Sequence, residues 1–224
     1  MSARGPHRWV VPWRSLVVAA AALVVAAIHR GVSLLAYERD AILNGELWRL
    51  ATGHLTHAGP YHLLWNVLPL IALGLLWEPL LKHRFWFLLG VSATLVSAGL
   101  VVLDPALAGY VGLSGVLNGI WIGGALFAAR REGSLGNRNG QRLFTAFVVL
   151  DLAKMAFEAW TGTPVFTDTR SLGIRSVPLA HALGALGGMI WFLTLPGADQ
   201  GPAPRKTERW FWHGARGVAL DGGI

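Results

Sequence analysis

Four polar residues at the mouths of apolar runs carry whatever chemistry this chain performs. Ser114 lies in Gly112-Leu113-Ser114-Gly115, which opens an apolar run lasting to about Ala129. A serine hydroxyl is a weak nucleophile until an adjacent base takes its proton, and histidine is the usual base. His181 stands in the first turn of the last apolar run, and His62 and Asn66 in the first turns of the second. Residues four apart share one helix face. His62 and Asn66, with the Ser114 backbone N–H, could therefore hold the negative charge that develops on an attacked carbonyl. The competing account is that Ser114 only packs helices, since small residues are common at membrane helix contacts.

For that chemistry to exist, elements distant in sequence must bring these groups to one depth. The chain has 224 residues, 54% hydrophobic and 14% charged, with a mean hydropathy of +0.49. Soluble domains average about 25% charged residues, so this is the composition of a polytopic all-α membrane protein. The 11 Trp and 28 Gly fit, because Trp gathers at bilayer interfaces and Gly is commoner in membrane helices. With no Cys, disulfides, thiolate metal sites and a cysteine nucleophile are excluded.

Six apolar runs are expected to cross the bilayer, each close to the roughly 20 residues a crossing requires. The first, ending at Ile28, follows Arg4, Arg8 and Arg14, and reads either as a membrane helix or as a signal peptide with a basic front. The others cover about 62–80, 85–103, 112–129, 143–160 and 178–195, punctuated by Glu78-Pro79, Asp104-Pro105 and Pro196-Gly197. Residues 29–61 are too polar to span and too apolar for a bare linker, so they are expected to lie on or dip into the interface. The resulting division is a basic cytoplasmic N-terminus at 1–14, a membrane domain at 15–195 and a flexible tail at 196–224.

The formal charge of +7 would suit nucleic acid, but its distribution does not. With the N-terminus inside, thirteen Lys and Arg fall on inner segments and five on outer ones, and Lys154 alone sits in a span. This follows the positive-inside rule. The basicity is topological, nucleic acid is not a partner, and the second, fourth and sixth runs all begin on the outer face. His62, Asn66, Ser114 and His181 thus lie at one depth.

Packing explains how they could meet. Gly115, Gly119 and Gly123 give the fourth run a groove below Ser114, and Gly184 and Gly188 give the sixth a small-residue face below His181. Such faces let two helix backbones approach closely.

Together these motifs resemble the rhomboid intramembrane serine proteases. The resemblance rests on Gly112-x-Ser114-Gly115 with Gly119, His62-x-x-x-Asn66, Trp48-Arg49, Glu78, and His181-x-x-Gly184-x-x-x-Gly188, over roughly residues 46–190. Gly45-Glu46-Leu47-Trp48-Arg49-Leu50 with Thr52-Gly53-His54 looks most like the rhombosortase branch of bacterial rhomboids, thought to process C-terminal Gly-Gly signals. The resemblance implies a six-helix bundle in the bacterial inner membrane with both termini cytoplasmic. It also implies a serine endopeptidase with a Ser114–His181 dyad, an oxyanion hole of His62 and Asn66, no cofactor, and a membrane-anchored protein substrate reached within the bilayer. No oligomeric state follows. Many rhomboids carry an aromatic residue four after the serine, supporting the histidine ring; here it is Asn118. Another group must orient His181, and Asn118 itself is a candidate.

Three rival readings remain. A catalytically silent rhomboid-like protein would bind membrane helices, but such proteins typically lack the serine or histidine. His54, His57 and His62 form H-x-x-H-x4-H, yet Pro60 interrupts any helix they would share, so loop hydrogen bonding is expected there and no metal site. Asp151, Lys154 and Glu158 form one stripe on the fifth run. Ionisable residues inside a span are functional suspects, and a transporter would use them. Without an inverted repeat, an internal ion pair fixing the helix is the simpler account.

Overall fold

The structure, a computed structural model, describes residues 11–28, 34–165 and 177–196. The expected basic N-terminus up to Val10, most of the stretch between the fifth and sixth apolar runs and the tail beyond Pro196 lie outside the described residues.

Among the described residues, six long helices form the body: α1 (Trp13–Ala27), α4 (Pro60–Leu81), α5 (Arg84–Leu103), α6 (Ser114–Ser134), α7 (Arg138–Thr161) and α8 (Pro178–Thr194). Between α1 and α4 lie β1 (Tyr37–Glu38) and the short helices α2 (Arg39–Leu43) and α3 (Arg49–Thr52); β2 (Gly109–Tyr110) precedes α6. By length and apolarity α4 and α5 can cross a membrane, and α1 and α8 are shorter apolar helices. Two helices run further than their apolar runs. The Asn137 side chain accepts from Gly140 N–H (3.1 Å) and donates to Glu132 (2.6 Å), so α7 starts at Arg138 instead of near 143. Capping, rather than hydrophobicity, sets that end.

Burial ranks the helices. Helix α6 is buried on all sides, from Gly115 to Glu132, which marks it as the central helix. Helix α7 buries only Phe144, Asp151 and Glu158, a stripe of seven-residue spacing, while Leu150, Phe157 and Trp160 point outward. Apolar surface facing out and carboxylates facing in is the arrangement a lipid surround selects.

The glycine faces of α6 and α8 meet. A Cβ on Gly184 would overlap the carbonyl of Gly115, and one on Gly188 the carbonyl of Gly119. Backbone lies against backbone, so neither side can yield by turning a side chain. On the other flank Glu78 of α4 reaches the first turn of α1, where Pro12 supplies no side-chain cap. It accepts from Ser15 N–H (2.7 Å), Ser15 Oγ (2.8 Å) and Arg14 N–H (3.1 Å). A carboxylate on the unpaired amides of a helix N-terminus is doubly favoured, by hydrogen bonding and by the helix dipole.

The segment ahead of α4 is built, not loose. Tyr37 pairs with Tyr110 and Glu38 with Gly109, and Gly112 N–H donates to the Gly53 carbonyl (3.1 Å). Arg49 is buried, pairs with Glu46 (2.6 Å) and Glu38 (3.8 Å), and donates to the Ala36 carbonyl (2.9 Å). Ser97 Oγ donates to the Leu50 carbonyl (2.5 Å), and His54 Nε2 sits 3.2 Å from the Ala93 carbonyl and 2.9 Å from Ser97 Oγ. A carbonyl can only accept, so Nε2 carries the proton and His54 staples this segment to α5 as a donor.

Two outcomes follow from this packing. Gly184→Ala should lower stability by roughly 1–3 kcal/mol through overpacking, whereas Gly90→Ala, with open space at its Cβ, should leave the thermal midpoint in detergent unchanged. Equal midpoints would dismiss the close-packing account. The second concerns acid. Burial holds His54 down at about 4 from the ordinary 6.5, and burial, then the neighbouring His62, holds His57 down at about 4. The unfolded chain takes up these protons near pH 6.5 and the folded chain only near pH 4, so their contribution is complete above pH 6.5 and lost as pH falls toward 4. Thermal midpoints measured across that window should decline, and decline less steeply in His54→Gln, whose amide can still donate to Ala93.

Candidate active site

Ser114 owes its position to the turn before it. Gly112 has φ of 108°, in the left-handed region that favours glycine, and a Cβ there would lie 2.8 Å from His62 Nε2. The chain bends at Gly112 and α6 begins at Ser114, with the hydroxyl half-exposed to a cavity of about 930 Å³. Tyr110 supports the turn from below, its hydroxyl accepting Gly115 N–H (3.4 Å).

His181 arrives from α8, opened by Pro178, a favoured first residue whose missing N–H costs nothing there. The close approach of Gly184 to Gly115 one turn further along sets its distance. His181 Nε2 lies 3.1 Å from Ser114 Oγ. His181 Nδ1 lies 3.0 Å from Glu158 Oε2 on α7. A carboxylate accepting at Nδ1 places the proton on that nitrogen and leaves the Nε2 lone pair facing the hydroxyl.

His62 and Asn66 line the same cavity from α4. His62 Nδ1 accepts from Ala58 N–H (3.3 Å), so in the neutral ring Nε2 bears the proton and is a donor beside Gly112. Asn66 Nδ2 spends one hydrogen on the His62 carbonyl (2.8 Å) and has a second to offer. The structure therefore brings Ser114, His181, His62 and Asn66 to one wall, with Gly112, Gly115, Gly184 and Gly188 as the close contacts that let them gather. The lower cavity wall is apolar, formed by residues such as Leu68, Leu73 and Leu76 of α4 and Phe147 of α7.

The side-chain bonds of Asn118 go to groups other than His181. Its Nδ2 donates to the Ser114 carbonyl (2.7 Å) and its Oδ1 accepts from Lys154 Nζ (3.1 Å). The group on His181 is Glu158. The stripe on α7 contains the expected ion pairs, with Lys154 3.3 Å from Glu158 and 3.8 Å from Asp151, but its last member also reaches α8. Tyr110 is the other residue the motifs missed, and nothing in its surroundings in sequence marks it. The three histidines of H-x-x-H-x4-H turn to separate partners: His54 to Ala93 and Ser97, His57 Nδ1 to the Leu55 carbonyl (3.1 Å), and His62 to Ala58. The second serine–histidine pair, Ser97 with His54, is no rival, because that Nε2 is a donor and neither residue lines the cavity.

A Rhomboid domain model matches residues 44–197. The Bacillus subtilis (strain 168) protein named "Putative rhomboid protease YdcA" is 32% identical over 112 residues, 49% of this chain and 56% of that protein. The match thus spans about half the length of each. With the domain model extending over most of the chain, from before α3 to beyond α8, this is an all-α membrane protein that belongs to the rhomboid family.

Proposed function

We propose that the chain is an intramembrane serine endopeptidase that hydrolyses a peptide bond in, or just outside, the membrane segment of an anchored protein substrate. The observation that carries this is the 3.1 Å separation of Ser114 Oγ and His181 Nε2 on the wall of a cavity that also holds His62 and Asn66. A reacting pair must lie within about 2.6–3.2 Å.

In this reading Ser114 Oγ bonds to the scissile carbonyl carbon as its proton passes to His181 Nε2. The oxyanion is held by His62 Nε2–H, Asn66 Nδ2–H and the Ser114 amide. The C–N bond breaks as His181 returns that proton to the leaving amine. Water then attacks the acyl group, giving one proton to His181 and releasing Ser114 with it. The apolar lower cavity suits aliphatic side chains of a membrane segment, and the polar rim suits its unwound backbone.

Substrate and setting rest on sequence. The segment Gly45–Leu50 with Thr52-Gly53-His54 supports rhombosortase-like processing of C-terminal Gly-Gly signals followed by a membrane helix and basic residues. The Lys and Arg distribution supports six crossings of a bacterial inner membrane with both termini cytoplasmic, a membrane domain at 15–195 and flanks at 1–14 and 196–224.

Membranes carrying the wild type should label with a fluorophosphonate probe, and those carrying Ser114→Ala or His181→Ala should not. A wild-type signal no stronger than that of Ser114→Ala would remove the enzyme reading and favour a silent helix-binding protein. A membrane-anchored reporter with Gly-Gly ahead of its helix should be cut by the wild type, and replacing that pair with Val-Val should abolish cleavage. Equal cleavage of both reporters would discard the Gly-Gly specificity while leaving the protease intact.

A further inference from the structure

The side chains around Ser114 close a ring. Starting at the hydroxyl, Ser114 Oγ faces His181 Nε2 (3.1 Å), and His181 Nδ1 faces Glu158 Oε2 (3.0 Å). The same Oε2 accepts from Lys154 Nζ (3.3 Å), which also donates to Asn118 Oδ1 (3.1 Å). Asn118 Nδ2 then donates to the backbone carbonyl of Ser114 (2.7 Å), the residue where the circuit began. The ring takes Ser114 and Asn118 from α6, Lys154 and Glu158 from α7, and His181 from α8.

We infer that Glu158 completes a Ser114–His181–Glu158 triad as its positioning residue, and that Lys154 and Asn118 hold Glu158 in place. The inference rests on the protease reading above and adds a third member to the expected dyad.

Glu158 is placed as a structural ion pair alone would not require. Its side chain is 2% exposed, and an isolated Lys154–Glu158 pair one turn apart on α7 would need neither oxygen to leave that helix. Instead Oε2 points across to α8 while Oε1 accepts the Val165 amide (3.0 Å) from beyond the helix end. Three donors from three directions fix the carboxylate before substrate arrives. A buried ionised group is tolerated only when so matched.

Its effect on His181 is twofold. Accepting from Nδ1–H fixes the tautomer whose Nε2 can receive the serine proton. When that proton arrives, the imidazolium forms 3.0 Å from a carboxylate in surroundings with little water to screen the pair. No proton passes to Glu158, which steadies the charge His181 acquires. Asn118 becomes intelligible as well. Where an aromatic ring would support the histidine by contact, Asn118 supports it at two removes, by holding the lysine that holds the glutamate.

The test uses the full chain purified in detergent and a fluorophosphonate ester, with the maximal inactivation rate and the half-saturating concentration measured separately. Glu158→Gln keeps the shape and removes the charge. Its maximal rate should fall roughly 10²–10⁴-fold, the scale on which losing the third member of a triad is felt, at an unchanged half-saturating concentration. Glu158→Asp should recover part of the rate, and Lys154→Met should lie between the wild type and Glu158→Gln. A Glu158→Gln variant labelling at the wild-type rate would overturn the inference, as would Glu158→Asp matching Glu158→Gln in a folded protein. Should Glu158→Gln not fold, nitrogen-15 spectra of the wild-type histidines decide. They must show a proton on Nδ1 of His181, assigned by its loss in His181→Ala, and a proton on Nε2 alone would overturn the triad. The protease reading fails separately, if the wild type labels no faster than Ser114→Ala.

Discussion

The structure depends on one contact between backbones. Where Gly184 of α8 rests on the carbonyl of Gly115 and Gly188 on that of Gly119, two helices approach as closely as their main chains allow. In lipid there is little hydrophobic gain in pairing two apolar helices, so close van der Waals contact must hold them. The same contact fixes where the first turns of α6 and α8 stand relative to each other. Ser114 lies one residue before Gly115 and His181 three before Gly184, so the packing distance becomes the distance between hydroxyl and imidazole. A looser pair of helices would still fold but would leave these groups out of reach.

Polar side chains in such a bundle are expensive unless each finds a partner. The chain meets that demand by closing loops of hydrogen bonds rather than by isolated pairs. Glu78 joins α4 to the first turn of α1, the β1–β2 pairing with Gly112 and Gly53 joins the segment ahead of α4 to the turn before Ser114, and the ring through Glu158 joins α6, α7 and α8. Each closed set ties together elements distant in sequence. Polar groups here act beside the backbone contact of α6 and α8 in setting which helices are neighbours.

Much of this was legible in the chain. Pro60, Asp104-Pro105, Pro178 and Pro196 punctuate apolar runs, so α4, α5 and α8 lie close to where those runs predict. The glycine spacings pointed to the faces that meet. The ends of α6 and α7 were not legible, because Glu132 and Asn137 continue and cap helices through local hydrogen bonds that a hydropathy pattern does not record. Strands of two residues leave no periodicity, so the Tyr37–Tyr110 pairing gave no signal. The stripe at Asp151, Lys154 and Glu158 was visible as a face, but spacing along one helix says nothing about what that face touches. The partner of Glu158 stands 23 residues further on, beyond a loop. Asn118 one turn from Ser114 was visible as a candidate to orient His181, but its two bonds go to Ser114 and Lys154, so it reaches His181 only through Lys154 and Glu158.

The ring through Glu158 and the cavity beside it differ in how their polar oxygens are satisfied. Within the ring, both ends of the Asn118 amide are used and both oxygens of Glu158 accept. Three buried oxygens that lack a partner among the described residues, Tyr37 Oη, Asn66 Oδ1 and Asp151 Oδ2, belong to side chains lining the cavity. Inside a membrane an open valence is tolerated only where water or polypeptide can fill it. Under the proposed activity, an unwound substrate segment would bring its own unpaired N–H groups, and these oxygens line the cavity that would receive it. The ring ties Ser114 and His181 to α7, and the unpartnered oxygens line the cavity beside them.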